Sequence, residues 1–576
     1  MARVLQLRFR QNQVTRATVK KLLILLFAAV NILSATQSAH SQTAEVTVFV
    51  NAQHPQASDS NPGTETLPFK TIRKAVAVVL ENNWQRKGTK VRIAPGVYRE
   101  SISVPPDWRE TDAAMTFEAT EIGKVIVSGS DVWTGWTRQG TSAIYARAWP
   151  YKWGLAPYPP YWEGNVVLQP IVRRREMIFL NGTLLDQVLS VAELKPGSFT
   201  VDETLGTVQL MPPVGANMDT AVIEVAVRAG LLKVTTKHNV TIRGLTFTHD
   251  NTPLQGSAVT IESGSNIVLE DNQFLWNNWG GLSLLEVSGG TLRRNVASHN
   301  GVVGMDAWKV KNLVAEDNDT SYNNWRGAKG GFYGWAATGM KIMLTHGGSF
   351  RRHRSVGNQT RGLWFDTDCT DIVVEDSFLG ENLQDGVFLE ALQGPITVRN
   401  STICHNQKGG ILIANSANVA LEKNIVYGNR DAQVLLSGEY SGARGFTNWE
   451  TGLKLQVVSE GWTVKSNAVV GLDSGFMLLS TTLSATMWDR FVATLTSDSN
   501  VWFNPNDTNV FRIAGSRTLD FSAWRSTTGR DSYSTFADPL FRDPVNHDFR
   551  PQPGSPLFSI GGWPGIPSGP QALQIQ

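Results

Sequence analysis

The chain has 576 residues, which is long enough for two or more domains with a large core. Only 18% of the residues are charged, the formal net charge is +2, and 52 residues are glycine. This balance excludes the strongly basic surface that nucleic-acid binding requires, and the glycine content suits a turn-rich β structure.

The first 41 residues are predicted to be a cleaved signal peptide, so the mature protein is expected to be secreted or periplasmic. Basic residues, among them Lys20 and Lys21, precede twelve residues at 22–33 that are mostly apolar, and small residues follow before Gln42. This stretch is too short to span a bilayer, so a membrane anchor is the weaker alternative. We expect no membrane association after removal of the signal, and the oligomeric state is left open.

An N-terminal cap and the first coils of a solenoid are predicted for 42–130. Between 71 and 82 the apolar residues have the spacing of an amphipathic helix. A helix here would cover the open end of a β solenoid and its unpaired strand edge. Over 131–230 short strands and tight turns follow one another without a repeat, which predicts an inserted β-sandwich-like domain.

Between Asn272 and Asn424 the sequence repeats about every 23 residues. Corner positions separated by 23, 23, 36, 23, 23 and 24 residues are Asn272, Asn295, Asn318, Arg354, Ser377, Asn400 and Asn424. Glycines with the same period are Gly281, Gly304, Gly339, Gly362, Gly386 and Gly410. The repeat, with its runs of β-branched and aliphatic residues, predicts an all-β fold, a right-handed parallel β-helix. Regular coils are expected over 231–445, and irregular final coils with a C-terminal tail over 446–576.

The strand that follows each glycine predicts which side chains point outward. Its first and third residues are apolar throughout and should face the core, so the second and fourth should face outward. The second-position column is Ser283, Asp306, Lys341, Trp364, Phe388 and Leu412. The fourth-position column is Leu285, Trp308, Met343, Asp366, Glu390 and Ala414.

This register sets Asp366 beside Glu390 on the outer face, at a strand spacing of about 4.7–4.9 Å. Like charges directly opposite one another destabilise a sheet. The pKa values of such a pair should be driven apart, as a nucleophile and a general acid/base require. Retaining glycosidases hold their two carboxyl groups about 5–5.5 Å apart. The pair is therefore predicted to be catalytic.

Aromatic and polar residues around the pair are candidates for sugar binding. They are Trp364, Trp308, Asp306, Lys341, Phe388, Arg361 and Trp335, the last in the insertion at 323–335. The aromatic residues can alternatively pack beneath the inserted domain. Lys341 is expected to form an ion pair with Asp306 rather than to act as a base, and Arg361 is expected beside Asp385.

No metal or other cofactor is expected. His346, His353 and His405 lack the spacing of metal ligands. Cys369 and Cys404 lie at different phases of the repeat, so both are predicted to be buried thiols without a bridge.

The motifs GLWFD at 362–366 and DGVFLEALQGP at 385–395 resemble those of the parallel β-helix β-xylosidases of glycoside hydrolase family 120. The general plan is also similar to that of glycoside hydrolase family 141. The resemblance implies that Asp366 is the nucleophile and Glu390 the acid/base, and that a β-sandwich interrupts the helix. The sequence departs from the pattern at Gln393, where the family has His, and at Thr367, where it has an aromatic residue.

Three functions remain open at this point. The favoured one is a secreted retaining glycoside hydrolase that acts on polysaccharide-derived glycans, xylosides among them. A polysaccharide lyase would instead use Lys341 or Arg361 to remove the proton α to a uronate carboxylate, with help from Asp306 and Ca²⁺. The third is a non-catalytic glycan-binding or adhesin-like β-helix. The sugar, the linkage and endo or exo action are left open.

Overall fold

The computed structural model describes residues 45–438 and 442–560 of the chain. The expected signal peptide at 1–41 lies outside the described residues. In the described chain, each regular coil adds one strand to each of three sheets of parallel strands, which makes the fold a parallel β-helix. We name them sheet 1, sheet 2 and sheet 3, in the order in which a regular coil enters them. Within the described residues, no helix has both the length and the apolar character needed to cross a bilayer.

Sheet 1 contains the strands that begin at the repeated glycines. Its strands are Ile102–Val104, Leu232–Thr235, Ser257–Glu262, Gly280–Leu285, Val303–Trp308, Thr338–Met343, Arg361–Asp366, Val387–Glu390, Ile411–Ala414, Ala432–Ser437, Met477–Thr481, Phe511–Arg512 and Thr518–Leu519. Sheet 2 consists of Val46–Val50, Thr89–Ile93, Met115–Ala119, His238–Arg243, Ser265–Glu270, Ser288–Arg293, Lys311–Glu316, His346–Arg351, Thr370–Glu375, Ile396–Arg399, Val419–Glu422, Thr463–Lys465 and Thr496–Asp498.

Sheet 3 is built from shorter strands and is formed in two stacks, which single-residue bridges at Asp319 connect. The first stack is Gly96–Tyr98, Val125–Ser128, Leu245–Thr248, Gln273–Leu275 and Val296–Ser298. The second stack is Arg354–Val356, Phe378–Gly380, Thr402–Cys404, Ile425–Tyr427, Ala468–Val470, Val501–Phe503 and Thr535–Phe536. The coils therefore continue in register well past 445, beyond the regular run expected from the sequence.

Apolar side chains fill the interior, and amide side chains tie the corners together. Leu363 and Phe365, the first and third residues after Gly362, are fully buried in the core, as the alternation predicts. At one corner the peptide N–H of Asn272 donates to the side-chain oxygen of Asn295, and the same bond recurs in the following coils. These bonds satisfy backbone groups that the turns would otherwise leave buried without partners.

Two corner positions differ by one residue from the expected series. The residue that follows Asn318 in the stack is His353 rather than Arg354, because Glu316 pairs with Arg351 in sheet 2. Later in the stack, the peptide N–H of Ser377 donates to the hydroxyl of Ser401 rather than to Asn400. A serine hydroxyl accepts the same bond as an asparagine oxygen, so the sequence pattern hides the substitution.

The repeated glycines allow neighbouring coils to approach closely. A Cβ atom on Gly304 would lie 2.5 Å from the carbonyl oxygen of Gly339, and one on Gly362 would lie 2.6 Å from that of Gly386. Any larger residue would force the coils apart.

Helices close both ends of the core. The N-terminal helix Ile72–Trp84 begins after Thr71, whose hydroxyl accepts from the amide of Lys74, and it packs on the first strands. At the other end, helices Ala485–Thr494 and Phe521–Thr528 bury Trp488 and Trp524 against the last coils. The later turns Ala514–Ser516, Pro544–Asn546 and Pro556–Phe558 and the hairpin strands Phe541–Asp543 and Asp548–Pro551 complete the described C-terminal segment.

Two further sheets interrupt the helix between Val125–Ser128 and Leu232–Thr235, and they share an apolar core of their own. One sheet is Ser130–Val132, Ile178–Leu180, Thr183–Leu184 and Ile223–Ala226; the other is Thr137–Arg138, Tyr145–Ala148, Asp186–Gln187, Ser198–Asp202 and Thr207–Met211. The short helical segments here are Pro170–Arg173 and Val191–Glu193. Residues Pro170–Arg173 pack against the helix Trp325–Lys329, which lies in the coil insertion at 323–335.

Candidate active site

The outer face of sheet 1 places Asp366 and Glu390 side by side. The strands Arg361–Asp366 and Val387–Glu390 are parallel neighbours, with Asp366 directly opposite Glu390. Since neighbouring strands lie about 4.7–4.9 Å apart, the two carboxyl groups start from adjacent positions. The register predicted for this column is confirmed.

Asp366 is buried, with 8% of its surface exposed, and is held as an anion. The Lys341 ammonium lies 2.8 Å from Oδ2, and the Thr367 hydroxyl donates to Oδ1 at 2.8 Å. Burial acts to raise the pKa of Asp366. The charge of Lys341 and these hydrogen bonds outweigh burial, so the pKa lies below its ordinary value. An ionised carboxylate is the form that a nucleophile requires.

Glu390 has the opposite tendency. Its Oε2 accepts from the Trp364 indole N–H at 3.1 Å, and its Oε1 accepts from the Arg444 guanidinium. Burial raises the pKa of Glu390, the negative charge of Asp366 raises it further, and Arg444 offsets only part of this. Glu390 therefore keeps its proton to a higher pH than an ordinary glutamate does. Two adjacent carboxyl groups with pKa values shifted in opposite directions suit an acid and a nucleophile.

Lys341 has a different partner from the one expected. Asp306 lies opposite Lys341 in the adjacent strand, but the ammonium binds Asp366 and the carbonyl oxygen of Trp335. The long side chain reaches its diagonal neighbour on the next strand, which the register rule alone does not consider. Asp306 instead accepts from the Ser283 hydroxyl at 2.6 Å, and burial raises its pKa to about 6. The expected ion pair between Lys341 and Asp306 is wrong.

Trp364 and Phe388 point outward as expected, but they offer no open surface to a sugar. They are 5% and 8% exposed, and their ring centroids lie 5.1 Å apart. The Lys341 ammonium lies 3.7 Å from the centroid of Trp364, and the Arg361 guanidinium lies 5.0 Å from both ring centroids. Arg361 also pairs with Asp385 at 3.2 Å, which confirms that expectation. These rings support the charged groups, and this corrects the expectation that they stack on substrate.

The other two tryptophans predicted for sugar binding are more open. Trp308 is half-buried, and the Lys309 ammonium lies 4.2 Å from its ring centroid. Trp335 is 45% exposed and follows the short helix Trp325–Lys329. Of the predicted aromatic residues, Trp335 is therefore the one most able to meet a ligand.

The inserted domain and the coil insertion form a wall where the strands of sheet 1 begin. This start wall consists of residues 158–172 and 323–337. Its centre is Trp162, which is 1% exposed and packs on Trp279 and Phe332. The wall is thus fixed to the helix by a buried apolar cluster.

A hairpin forms a second wall where the same strands end. This end wall is the pair Arg444–Thr447 and Lys454–Val457 with the turn between them. Asp368, two residues after Asp366, holds this turn. Its carboxylate accepts hydrogen bonds from the side chain of Asn448 and the backbone N–H of Trp449. The hairpin thereby brings Arg444 to Glu390.

Sequence reasoning missed Arg444 and Tyr161. Arg444 lies 54 residues after Glu390 in a segment that leaves the repeat, so the period of the repeat could not predict its position. Tyr161 lies in the inserted domain, and only the docking of that domain brings it to sheet 1. Neither residue lies in a sequence pattern that would have placed it at this site.

Three side chains that could hold a metal ion lie together elsewhere in the described chain. Cys404, His405 and His547 each offer a ligand atom, and these atoms lie within 4.8 Å of one another on the outside of sheet 3. The spacing of the histidines in the sequence does not reveal this group, because His547 lies far from His405 along the chain. Burial lies behind the raised pKa of the Cys404 thiol, so a metal would have to displace its proton. Cys404 belongs to sheet 3, whereas Asp366 and Glu390 belong to sheet 1.

Comparisons with known proteins agree with this architecture. A family model described as a right-handed β-helix region matches residues 230–430, a span that includes Asp366 and Glu390. The structure of XylC in complex with xylose is similar to this chain. The TM-score is 0.61 and the identity 15%, over 87% of this chain and 87% of that chain. The mannuronan C-5 epimerase AlgE4 A-module of Azotobacter vinelandii gives a TM-score of 0.45 and 14% identity, over 85% of this chain and 100% of that chain. No curated protein sequence matches significantly.

The protein is a right-handed parallel β-helix, since the three-sheet stack and the family model give the same architecture. At 15% identity, the likeness to XylC supports this fold and nothing narrower.

Proposed function

We propose that the protein is a retaining glycoside hydrolase that acts on polysaccharide-derived glycans, with xylosides as the first candidates. The observation that carries the proposal is the adjacent pair Asp366 and Glu390, whose pKa values are shifted in opposite directions. The resemblance of 362–366 and 385–395 to the family 120 β-xylosidases supports it. The fold is shared with a protein that was solved with xylose, which is why xylosides are tested first. The predicted signal peptide is consistent with a substrate outside the cell.

In the first half of the proposed reaction, an Asp366 carboxylate oxygen attacks the anomeric carbon and forms an ester bond. The bond from that carbon to the leaving oxygen breaks, and Glu390 gives its proton to that oxygen. In the second half, Glu390 accepts a proton from water, whose oxygen bonds to the anomeric carbon and releases Asp366. Each carboxyl group ends as it began, and neither half-reaction requires a cofactor.

The neighbouring residues prepare the pair for these roles. Lys341 stabilises the Asp366 anion before attack, and Thr367 orients it with a second hydrogen bond. Trp364 and Arg444 each hold one oxygen of Glu390. Such groups are positioning residues, since they act through the two carboxyl groups rather than on the sugar.

A polysaccharide lyase is less well supported. The two residues considered as its base are both engaged: Lys341 pairs with Asp366, and Arg361 pairs with Asp385. A protonated amine in an ion pair is a poor base, because deprotonation would break the pair. The cations of this face are balanced by carboxylates, so they provide little free charge for a uronate polymer.

A substrate panel tests the proposal. Wild type, Asp366→Ala and Glu390→Ala are offered aryl glycosides, xylosides first, and uronate polymers, with Glu375→Ala in sheet 2 as a matched control. The proposal expects release of the aryl group by wild type and the control, loss in both site variants, and retention of anomeric configuration by proton NMR. Inverted product excludes the retaining mechanism. Unsaturated products that absorb in the ultraviolet would establish the lyase, and glycan binding without turnover a binding protein.

A further inference from the structure

Two aromatic rings of the start wall are exposed although their neighbours are buried. Tyr161 is 60% exposed and Trp335 is 45% exposed. Trp162 and Trp279, in the same apolar cluster, are each 1% exposed. Exposed aromatic rings beside polar groups are suited to the flat faces of sugar rings.

Both rings are held in place from beneath. The Trp162 ring centroid lies 6.3 Å from that of Tyr161 and 5.7 Å from that of Trp335. The hydroxyl of Tyr161 also donates to the side chain of Gln255, which precedes a sheet 1 strand. Because the rings are already ordered, binding a sugar to them costs little side-chain entropy.

The rings belong to the same face as the catalytic pair. The Lys341 ammonium binds both the carbonyl oxygen of Trp335 and the carboxylate of Asp366, so one side chain connects the wall to the proposed nucleophile. Tyr161 lies close enough to Asp306 for the two groups to interact electrostatically. The strand of Asp306 is two strands from that of Asp366, which is roughly 9–10 Å along the helix axis.

We infer that Tyr161, Trp335 and Asp306 form an accessory sugar subsite, so that the substrate is a glycan of more than one sugar unit. This rests on the proposed function, because it assumes that the sugar to be cleaved lies over Asp366. The aromatic rings supply apolar contact, and the Asp306 carboxyl, which also accepts from the Ser283 hydroxyl, accepts hydrogen bonds from sugar hydroxyls. The inserted domain thereby contributes directly to specificity.

The test compares two substrates built from the same kind of sugar. One is an aryl monoglycoside, and the other is an unlabelled oligosaccharide, with xylo-oligosaccharides tried first. Loss of one stacked ring should lower kcat/KM for the oligosaccharide about 10- to 100-fold. In Tyr161→Ala and in Trp335→Ala, this loss should exceed the loss on the aryl monoglycoside at least fivefold. Tyr533→Ala is the control, because Tyr533 is 81% exposed and lies in the C-terminal segment. Equal losses on both substrates, or no loss on either, overturn the inference.

Binding measurements separate this inference from the proposed function. Titration calorimetry with the oligosaccharide is run on Asp366→Asn, which cannot cleave it by the proposed mechanism, and on Asp366→Asn combined with Tyr161→Ala or with Tyr533→Ala. Weaker binding only where Tyr161→Ala is present supports the subsite even if the wild-type protein has no hydrolase activity. Equal binding by all three proteins contradicts the subsite even if the hydrolase activity is established.

Discussion

Charged side chains are arranged in opposite ways on the outer faces of sheet 1 and sheet 2. In sheet 2 one column of residues at or next to the end of each strand alternates in charge from coil to coil: Arg92, Glu118, Arg243, Glu270, Arg293, Glu316, Arg351, Glu375, Arg399, Glu422, Lys465 and Asp498. Each carboxylate except Asp498, which ends the series, therefore has a cation on both sides, and Arg293 in turn contacts Glu270 at 2.7 Å and Glu316 at 3.2 Å. This is the arrangement that cross-strand energetics favours.

The corresponding column of sheet 1 is largely uncharged and then places Asp366 next to Glu390. Its cations come from outside the column, Lys341 from a diagonal position and Arg444 from the hairpin. Sheet 2 alternates positive and negative side chains, whereas sheet 1 places the two carboxyl groups of Asp366 and Glu390 next to each other. Local rules are most often broken at functional sites, so the contrast supports the catalytic role proposed for this pair.

The largest effect is expected from Asp366→Asn. An amide cannot form the ester with the anomeric carbon, so kcat/KM on an aryl glycoside should fall roughly 10⁴-fold or more. Steady-state kinetics measure the loss, and circular dichroism verifies that the variant is folded. A variant that keeps a tenth of the wild-type activity would remove Asp366 from the role of nucleophile.

Glu390→Gln should have a smaller effect that depends on the leaving group. The loss of acid catalysis costs about 10²–10⁴-fold in rate when the leaving oxygen needs a proton. With an acidic phenol as leaving group, bond cleavage needs no such proton, so the loss in kcat/KM should be much smaller. Kinetics on a series of aryl glycosides with leaving groups of increasing pKa measure this dependence. An equal loss across the series would contradict the role of Glu390 as acid.

Arg444→Gln should move the pH profile upward. Activity requires Glu390 protonated, so activity falls as the pH rises through its pKa. The Arg444 cation lowers that pKa, and its removal should therefore shift the alkaline limb of kcat/KM to higher pH. Arg399→Gln in sheet 2 is the control and should leave both limbs in place. An alkaline limb that stays or moves down would show that Glu390 does not set it.

The smallest effect is expected from Glu375→Gln in the alternating column of sheet 2. Its partners Arg351 and Arg399 are about half exposed, at 46% and 50%, so the ion pairs are screened by water. The free energy of unfolding should fall by less than about 1 kcal/mol, and activity should not change. Thermal unfolding and kinetics measure both. A large loss of activity would mean that the charge pattern of sheet 2 also serves the reaction.

The repeat made the register predictable, and with it the inward and outward faces and the pair Asp366 and Glu390. The alternation of side chains in a strand depends only on local geometry, so one glycine in each coil is enough to fix it. The partner of Lys341 was missed because a long side chain reaches diagonally. Arg444 and Tyr161 were missed because they lie in segments without a repeat, and the docking of such segments depends on tertiary contacts.

Trapping of the glycosyl intermediate is the most direct test of Asp366 as the nucleophile. The wild-type protein is incubated with a 2-deoxy-2-fluoro analogue of whichever aryl glycoside it cleaves, digested, and examined by tandem mass spectrometry. One sugar equivalent is expected on the Asp366 side chain, and this adduct should form faster than in Glu390→Gln when the leaving group needs a proton. A label on Glu390 or on another residue, or turnover without any trapped adduct, would contradict the role of Asp366 as the nucleophile.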